Sequence, residues 1–179
     1  AKLLWVDLEM TGLDPEKDRI LEIAAITTGW DLKPKNTFEA IVKVDENLIK
    51  TRMVGPFWEK NRESYNSLVA QNANGKPLEE VEQAFLAFLD ANFRKNYVII
   101  LAGNSIHQDR KFIDRELPAI SKRLHYRMLD VSAWKVYFEG ALGKKFKKPE
   151  AHRALSDITG SIVARAVSAD VYENWTDVS

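Results

Sequence analysis

The chain has 179 residues, enough for one domain with a full hydrophobic core, and a single domain over residues 1–179 is expected. Apolar residues make up 45% and charged residues 29%, as in globular proteins, and no apolar run is long enough to span a membrane. The 26 acids balance 26 bases, which argues against a binder of long nucleic acid; a nucleic-acid substrate would be short, or held by metal and local contacts. Cysteine is absent, which excludes disulfides, thiolate catalysis and zinc–thiolate sites and is compatible with a cytoplasmic location. No basic run followed by an apolar stretch and a cleavage site opens the sequence, so a secretory leader is not expected.

Leu3 to Val6 opens a first strand, and the Thr11-Gly12-Leu13-Asp14-Pro15 stretch breaks it. Ile20 to Thr27 and Thr37 to Val44 read as the second and third strands, and their short connections predict an antiparallel meander. Leu78 to Phe93 reads as an amphipathic helix with Val81, Ala84, Phe85, Phe88 and Leu89 on one stripe. A strand over Tyr97 to Ala102 follows, then a helix carrying Ile106, Phe112, Ile113 and Leu117. Tyr126 to Val131 is a fifth strand, and Ser132 is placed to cap a helix running to about Phe138. Gly143 to Pro149 is a lysine-rich loop, and a last helix runs from near Ala154 toward Trp175. Three strands followed by strand–helix alternation imply an α/β fold, a mixed sheet flanked by helices.

Four acids stand out against this pattern. Asp7 and Glu9 lie two apart in the first strand, so both carboxylates face the same way. Leu3 to Val6 and Leu8 mark that strand as central, where paired carboxylates need a cation such as Mg²⁺ or Mn²⁺. The alternative is an edge strand with a wet face. Asp109 falls on the apolar stripe of Ile106, Phe112 and Ile113, where an acid is buried only with a partner. A salt bridge to Arg110 or Lys111 would explain it equally well. Asp157, in the first turns of the last helix, shares a face with Ala154, Gly160, Ser161 and Ala164, which would let it lie close to the sheet. The alternative is an acid placed to favour the helix N-terminus. His152 lies five residues earlier, so it joins Asp157 in one site only from the loop before the helix. His107 and His125 read as bystanders or substrate contacts. Four carboxylates can hold two divalent ions about 4 Å apart, as in two-metal phosphoryl-transfer sites. A histidine beside them can take a proton from water.

Several stretches resemble the motifs of one family. Val6-Asp7-Leu8-Glu9-Met10-Thr11-Gly12-Leu13-Asp14 resembles the first motif of the oligoribonucleases, and Gly103-Asn104-Ser105-Ile106-His107-Gln108-Asp109 the second. His125-Tyr126-Arg127-Met128-Leu129-Asp130-Val131-Ser132 is similar to a further stretch, and His152-Arg153-Ala154-Leu155-Ser156-Asp157-Ile158 to the third exonuclease motif. The family belongs to the DEDDh exonucleases, so the resemblance implies a ribonuclease H-like fold with a mixed five-stranded sheet. It implies a homodimer that degrades short RNA, dinucleotides above all, from the 3′ end to 5′-mononucleotides. Two divalent ions, Mg²⁺ or Mn²⁺, would be bound by Asp7, Glu9, Asp109 and Asp157, with His152 as the general base. Leu13 would wedge against the bases. Ser105, Arg127 and Ser132 would cap the 5′ phosphate with the partner subunit's Tyr126, and Trp58 and Leu68 would flank the site.

The sequence departs from the family where Glu63 replaces a frequent His and Asn66-Ser67 replaces a Ser-Gly pair before Leu68, which bears on the contacts of that segment. The Lys144-Lys145-Phe146-Lys147-Lys148 run is a solvated loop or an attractor of RNA. Two rival readings are a DEDDh enzyme acting on DNA and a non-catalytic nucleotide-binding or dimerisation module. The Leu13 wedge and the His125–Ser132 block weigh against the first, and the presence of all five catalytic positions against the second.

Overall fold

The computed structural model describes residues 1–143 and Ile158. Strand β1 (Leu3–Met10) is central because it has no polar face to show water over its first half: Leu3, Leu4, Trp5 and Val6 are all buried. Around it lie β2 (Ile20–Thr28), β3 (Pro34–Ile41), β4 (Ile99–Gly103) and β5 (Leu124–Asp130), in the order β3-β2-β1-β4-β5. β1, β2 and β3 form the expected antiparallel meander, while β1–β4 and β4–β5 are parallel, so the sheet is mixed. The edge-strand alternative for Asp7 and Glu9 therefore fails.

Helix α4 (Leu78–Asn92) packs Val81, Phe85 and Leu89 on the sheet, and Phe85 stacks on Phe38 of β3 with centroids 4.7 Å apart. Ala84, assigned to that stripe from the sequence, is exposed. Helix α5 (Ile106–Glu116) buries Ile106, Asp109, Phe112 and Ile113, the stripe the spacing predicts. A larger apolar cluster contains Leu4, Val6, Leu8, Ile23 and these helices. A smaller one joins Leu3, Trp5, Ala24 and Ile26 to Ala102, Val131 and Ile158.

Several boundaries differ from expectation. β3 ends at Ile41, and Val42 instead bridges to Lys76. β4 begins at Ile99, because Tyr97 closes a turn on the Arg94 carbonyl and stacks on Phe93. β5 starts two residues earlier than predicted. Helix α7 (Val131–Leu142) is capped by Asp130, which accepts from the Ser132 N–H, so Ser132 is not the cap. Three short helices were not anticipated: α1 (Glu46–Arg52), α2 (Pro56–Lys60) and α3 (Arg62–Gln71). A short α6 (Pro118–Ser121) follows α5. The lysine-rich loop beyond Gly143 and the last helix, Ile158 apart, lie outside the described residues.

Candidate active site

β1 outruns its parallel neighbour. Pairing with β4 covers Leu3 to Trp5 and stops, because β4 ends at Gly103 and the chain turns into α5. That turn passes so near β1 that a Cβ on Gly103 would lie 2.9 Å from the Val6 carbonyl oxygen. The Leu8 N–H is taken up by a side chain: it donates to Asp109 Oδ1 at 2.9 Å. Asp109, 6% exposed, is thereby fixed against the backbone between Asp7 and Glu9. Its charged neighbours are engaged elsewhere. Arg110 binds Asp114 at 2.7 Å and the His125 carbonyl at 2.9 Å, and Lys111 reaches Gln108 at 3.3 Å.

Asp7 and Glu9 are half-buried and continue the alternation of Leu3 and Trp5, the face on which Ile158 packs. Asp157 and His152 lie outside the described residues. Among the described residues no group of three acids or histidines meets closely enough to hold an ion by itself. The donor set still suits a hard cation: carboxylates alone, one of them buried and braced by a backbone N–H.

Beside Glu9 a cleft of about 420 Å³ is lined by Leu8 to Leu13 on one side and by Arg52, Val54, Phe57 and Trp58 on the other. Leu13 projects from its loop, 72% exposed. Trp58 is held edge-on by Phe57 and Tyr65, at 5.0 and 6.1 Å. The Leu13 loop is tied at two points. Gln108, next to Asp109, donates to the Leu13 carbonyl at 2.7 Å, and the Asp14 N–H donates to Asp18 at 3.0 Å. Asp18 is fully buried and also accepts from the Thr11 hydroxyl and from Arg52 Nε and Nη2. Burial pushes its carboxyl up; the hydrogen bonds from Arg52, Asp14 and Thr11 outweigh this and hold it below the ordinary carboxylate range.

At the C-terminal ends of β4 and β5, Asp130 joins two of the residues expected around a phosphate, Ser105 and Ser132. Its Oδ1 accepts from the Ser105 N–H, the Ser132 N–H and the Ser132 hydroxyl at 2.9, 2.9 and 2.6 Å. His107 Nδ1 lies 3.5 Å from its other oxygen. Burial pushes the Asp130 carboxyl up, and these contacts more than offset it, so it too titrates low. Ser105 takes a left-handed conformation, φ 52°, a strained state for a residue other than glycine. Lys135 reaches Asn104 at 2.8 Å, one residue from Ser105. Tyr126 is 74% exposed, with the Arg127 guanidinium 5.4 Å from its ring centroid.

Residues 4–163 match the RNase_T exonuclease family. An oligoribonuclease from Paracidovorax citrulli (strain AAC00-1) is 38% identical over 163 residues, covering 89% of this chain and 83% of that protein. The chain belongs to the oligoribonuclease family of exonucleases. A mitochondrial oligoribonuclease from Homo sapiens is 36% identical over 167 residues, covering 90% of this chain and 69% of the relative. Exonuclease I from Methylocaldum szegediense superposes with a TM-score of 0.62 at 17% identity, over 90% of this chain and 38% of that one. The chain thus spans about two fifths of that structure and shares its ribonuclease H-like fold.

Against the oligoribonuclease pattern, four of the expected contacts fall into two groups: Leu13 with Trp58 in the cleft beside Glu9, and Ser105 with Ser132 around Asp130. Tyr126 and Arg127 lie against each other on β5, outside both groups, and Leu68 belongs to neither. It is 1% exposed in the main core and does not line the cleft. Glu63 and Asn66, where the sequence departs from the family, are exposed on α3. Asp18, Arg52, Asp130 and Glu22 received no role from sequence reasoning. Glu22 lies directly across from Glu9 in the β1–β2 register, is buried, and accepts from Gln71 Nε2 at 2.7 Å. An acid inside the all-buried strand β2 is the same signal that singled out Asp7 and Glu9, and it could have been found that way.

Proposed function

We propose that this oligoribonuclease-family chain, as a single exonuclease domain, hydrolyses short RNA from the 3′ end to 5′-mononucleotides, with dinucleotides as its best substrates. The observation that carries the reading is the Leu8–Asp109 bond. It holds Asp109 against the β1 backbone between Asp7 and Glu9, beside a cleft fit for a base. The balanced net charge supports a short substrate held locally.

Exonucleases of this family depend on divalent metal. Asp7, Glu9, Asp109 and Asp157 would hold two ions, Mg²⁺ or Mn²⁺. Ions bound there would neutralise charge building on the scissile phosphate and make water more acidic. The protein's own groups do the rest. Leu13 wedges the base, Trp58 backs it, and Ser105, Ser132 and Arg127 receive the 5′ phosphate. His152 takes the proton from the attacking water. The bonds to Asp130 hold Ser105 and Ser132 side by side before substrate arrives, which supports their acting together.

We also propose a homodimer in which the partner subunit's Tyr126 completes the cap. Its support is the exposure of three large apolar side chains, Tyr126 on β5 and Val136 and Tyr137 on α7. A cysteine-free chain suits the cytoplasm as the place of action.

The test incubates the protein with 5′-phosphorylated RNA and DNA dinucleotides side by side in Mg²⁺. Mononucleotides from RNA at the faster rate are expected; equal or faster release from DNA would favour the DNA-directed rival. His152→Ala should lower turnover by about 10²–10⁴-fold while substrate affinity holds. Wild-type turnover in that variant would place the base elsewhere.

A further inference from the structure

Two walls of the cleft beside Glu9 come from segments far apart in sequence, and one buried side chain joins them. The Leu13 loop forms one wall. The other begins at Arg52, the last residue of α1, and continues through Val54 and Phe57 to Trp58. Asp18 is 0% exposed and bonds to both: to Thr11 Oγ1 at 2.9 Å and the Asp14 N–H at 3.0 Å, and to Arg52 Nε at 2.8 Å and Nη2 at 2.9 Å. The loop closes tightly on this carboxylate. A Cβ on Gly12 would sit 2.5 Å from Asp18 Oδ2, so the backbone there lies against the carboxylate with no room for a side chain. A guanidinium gripped at two N–H groups is fixed in angle as well as distance, which a single ammonium contact does not achieve.

We propose that Asp18 is a positioning residue which, through its two-pronged grip on Arg52, sets the gap between the Leu13 and Trp58 walls and so the fit of the terminal nucleotide. The inference rests on the reading of the cleft as the substrate site. Neither residue touches the reacting phosphate in this scheme. Loosening the grip therefore weakens binding of the nucleotide and leaves the chemistry in place.

Arg52→Lys tests this, since it keeps a cation beside Asp18, and with it the fold, but loses the fork. On a 5′-phosphorylated RNA dinucleotide in Mg²⁺, KM should rise about 10-fold, the loss expected for one charge-assisted hydrogen bond, with kcat within about two-fold. Leu13→Ala removes one wall, so adding Arg52→Lys to it should change KM by less than about two-fold, a non-additive pair. Thermal melts of all three variants separate this effect from loss of folded protein. Three results overturn the proposal: an unchanged KM in Arg52→Lys, a fall confined to kcat, or additive effects with Leu13→Ala. A wild type that cleaves the dinucleotide while Arg52→Lys keeps its KM defeats this inference alone. A wild type that neither binds nor cleaves it defeats the functional reading and this inference together.

Discussion

Asp109 has two duties, a carboxylate beside Asp7 on the proposed metal face and an acceptor for a buried backbone N–H. Replacing either residue by Ala removes a carboxylate proposed to bind metal, so both variants should be inactive. Asp109→Ala also strips the buried Leu8 N–H of its acceptor, which costs about 1–3 kcal/mol. Urea melts should show that loss in Asp109→Ala, and Asp109→Asn, which keeps an acceptor oxygen for the Leu8 N–H, should recover part of it. Asp130 makes a pH prediction. Its carboxyl titrates lower in the folded chain than in the unfolded one, so the charged form contributes stability above the ordinary value of about 3.9. That contribution disappears as pH falls through the lower folded value. Asp130→Asn lacks it at every pH. The stability difference between wild type and variant, followed by chemical denaturation, should therefore shrink from pH 5 downward. A gap that stays constant would mean that Asp130 is not charged in the native cap.

The elements of the site differ in how far they could be read. β1 was legible because a strand's alternation is rigid: Asp7 and Glu9 stand two apart in a run that is otherwise apolar. α5 was legible because Asp109 keeps step with Ile106, Phe112 and Ile113. α1, α2 and α3 were not, since their 7, 5 and 10 residues bury Ile49, Trp58 and Leu68 alone, and one buried side chain sets no period. Those helices bring Arg52 to Asp18, so the tie across the cleft stayed hidden with them. The cap of α7 was misplaced by two residues because Asp130 and Ser132 are both good caps and only the backbone decides between them. The Leu13 loop makes an element-scale prediction. Gly12→Ala would drive a methyl group into Asp18 and should cost about 1–3 kcal/mol. It should also weaken dinucleotide binding, as read by isothermal titration in EDTA. Wild-type affinity would mean the loop yields without moving Leu13.

For the whole molecule, metal and assembly are the variables. Chelation with EDTA should stop hydrolysis, and Mg²⁺ or Mn²⁺ should restore it. Binding to the folded acids should also raise the melting temperature with metal concentration. The spacing of Asp7 and Glu9 already pointed to a cation, but a second subunit could not be read from spacing, because an interface depends on groups brought together only after folding. If a neighbouring copy closes the phosphate end, Tyr126→Ala should flatten the fall in rate from two nucleotides to seven. Sedimentation should give a two-chain mass for the wild type. A monomer with a steep length profile would contradict the proposed cap.

The bond from the Leu8 N–H to Asp109 makes a backbone amide into a built-in sensor. Its proton sees one carboxylate oxygen directly, so its nuclear magnetic resonance signal should follow whatever that carboxylate meets. In a ¹⁵N-labelled sample, Mg²⁺ should move the Leu8 cross-peak together with those of its strand neighbours. The peaks of β3, two strands away, should stay still. Ion occupancy could then be followed in the resting enzyme, with no turnover and no added dye.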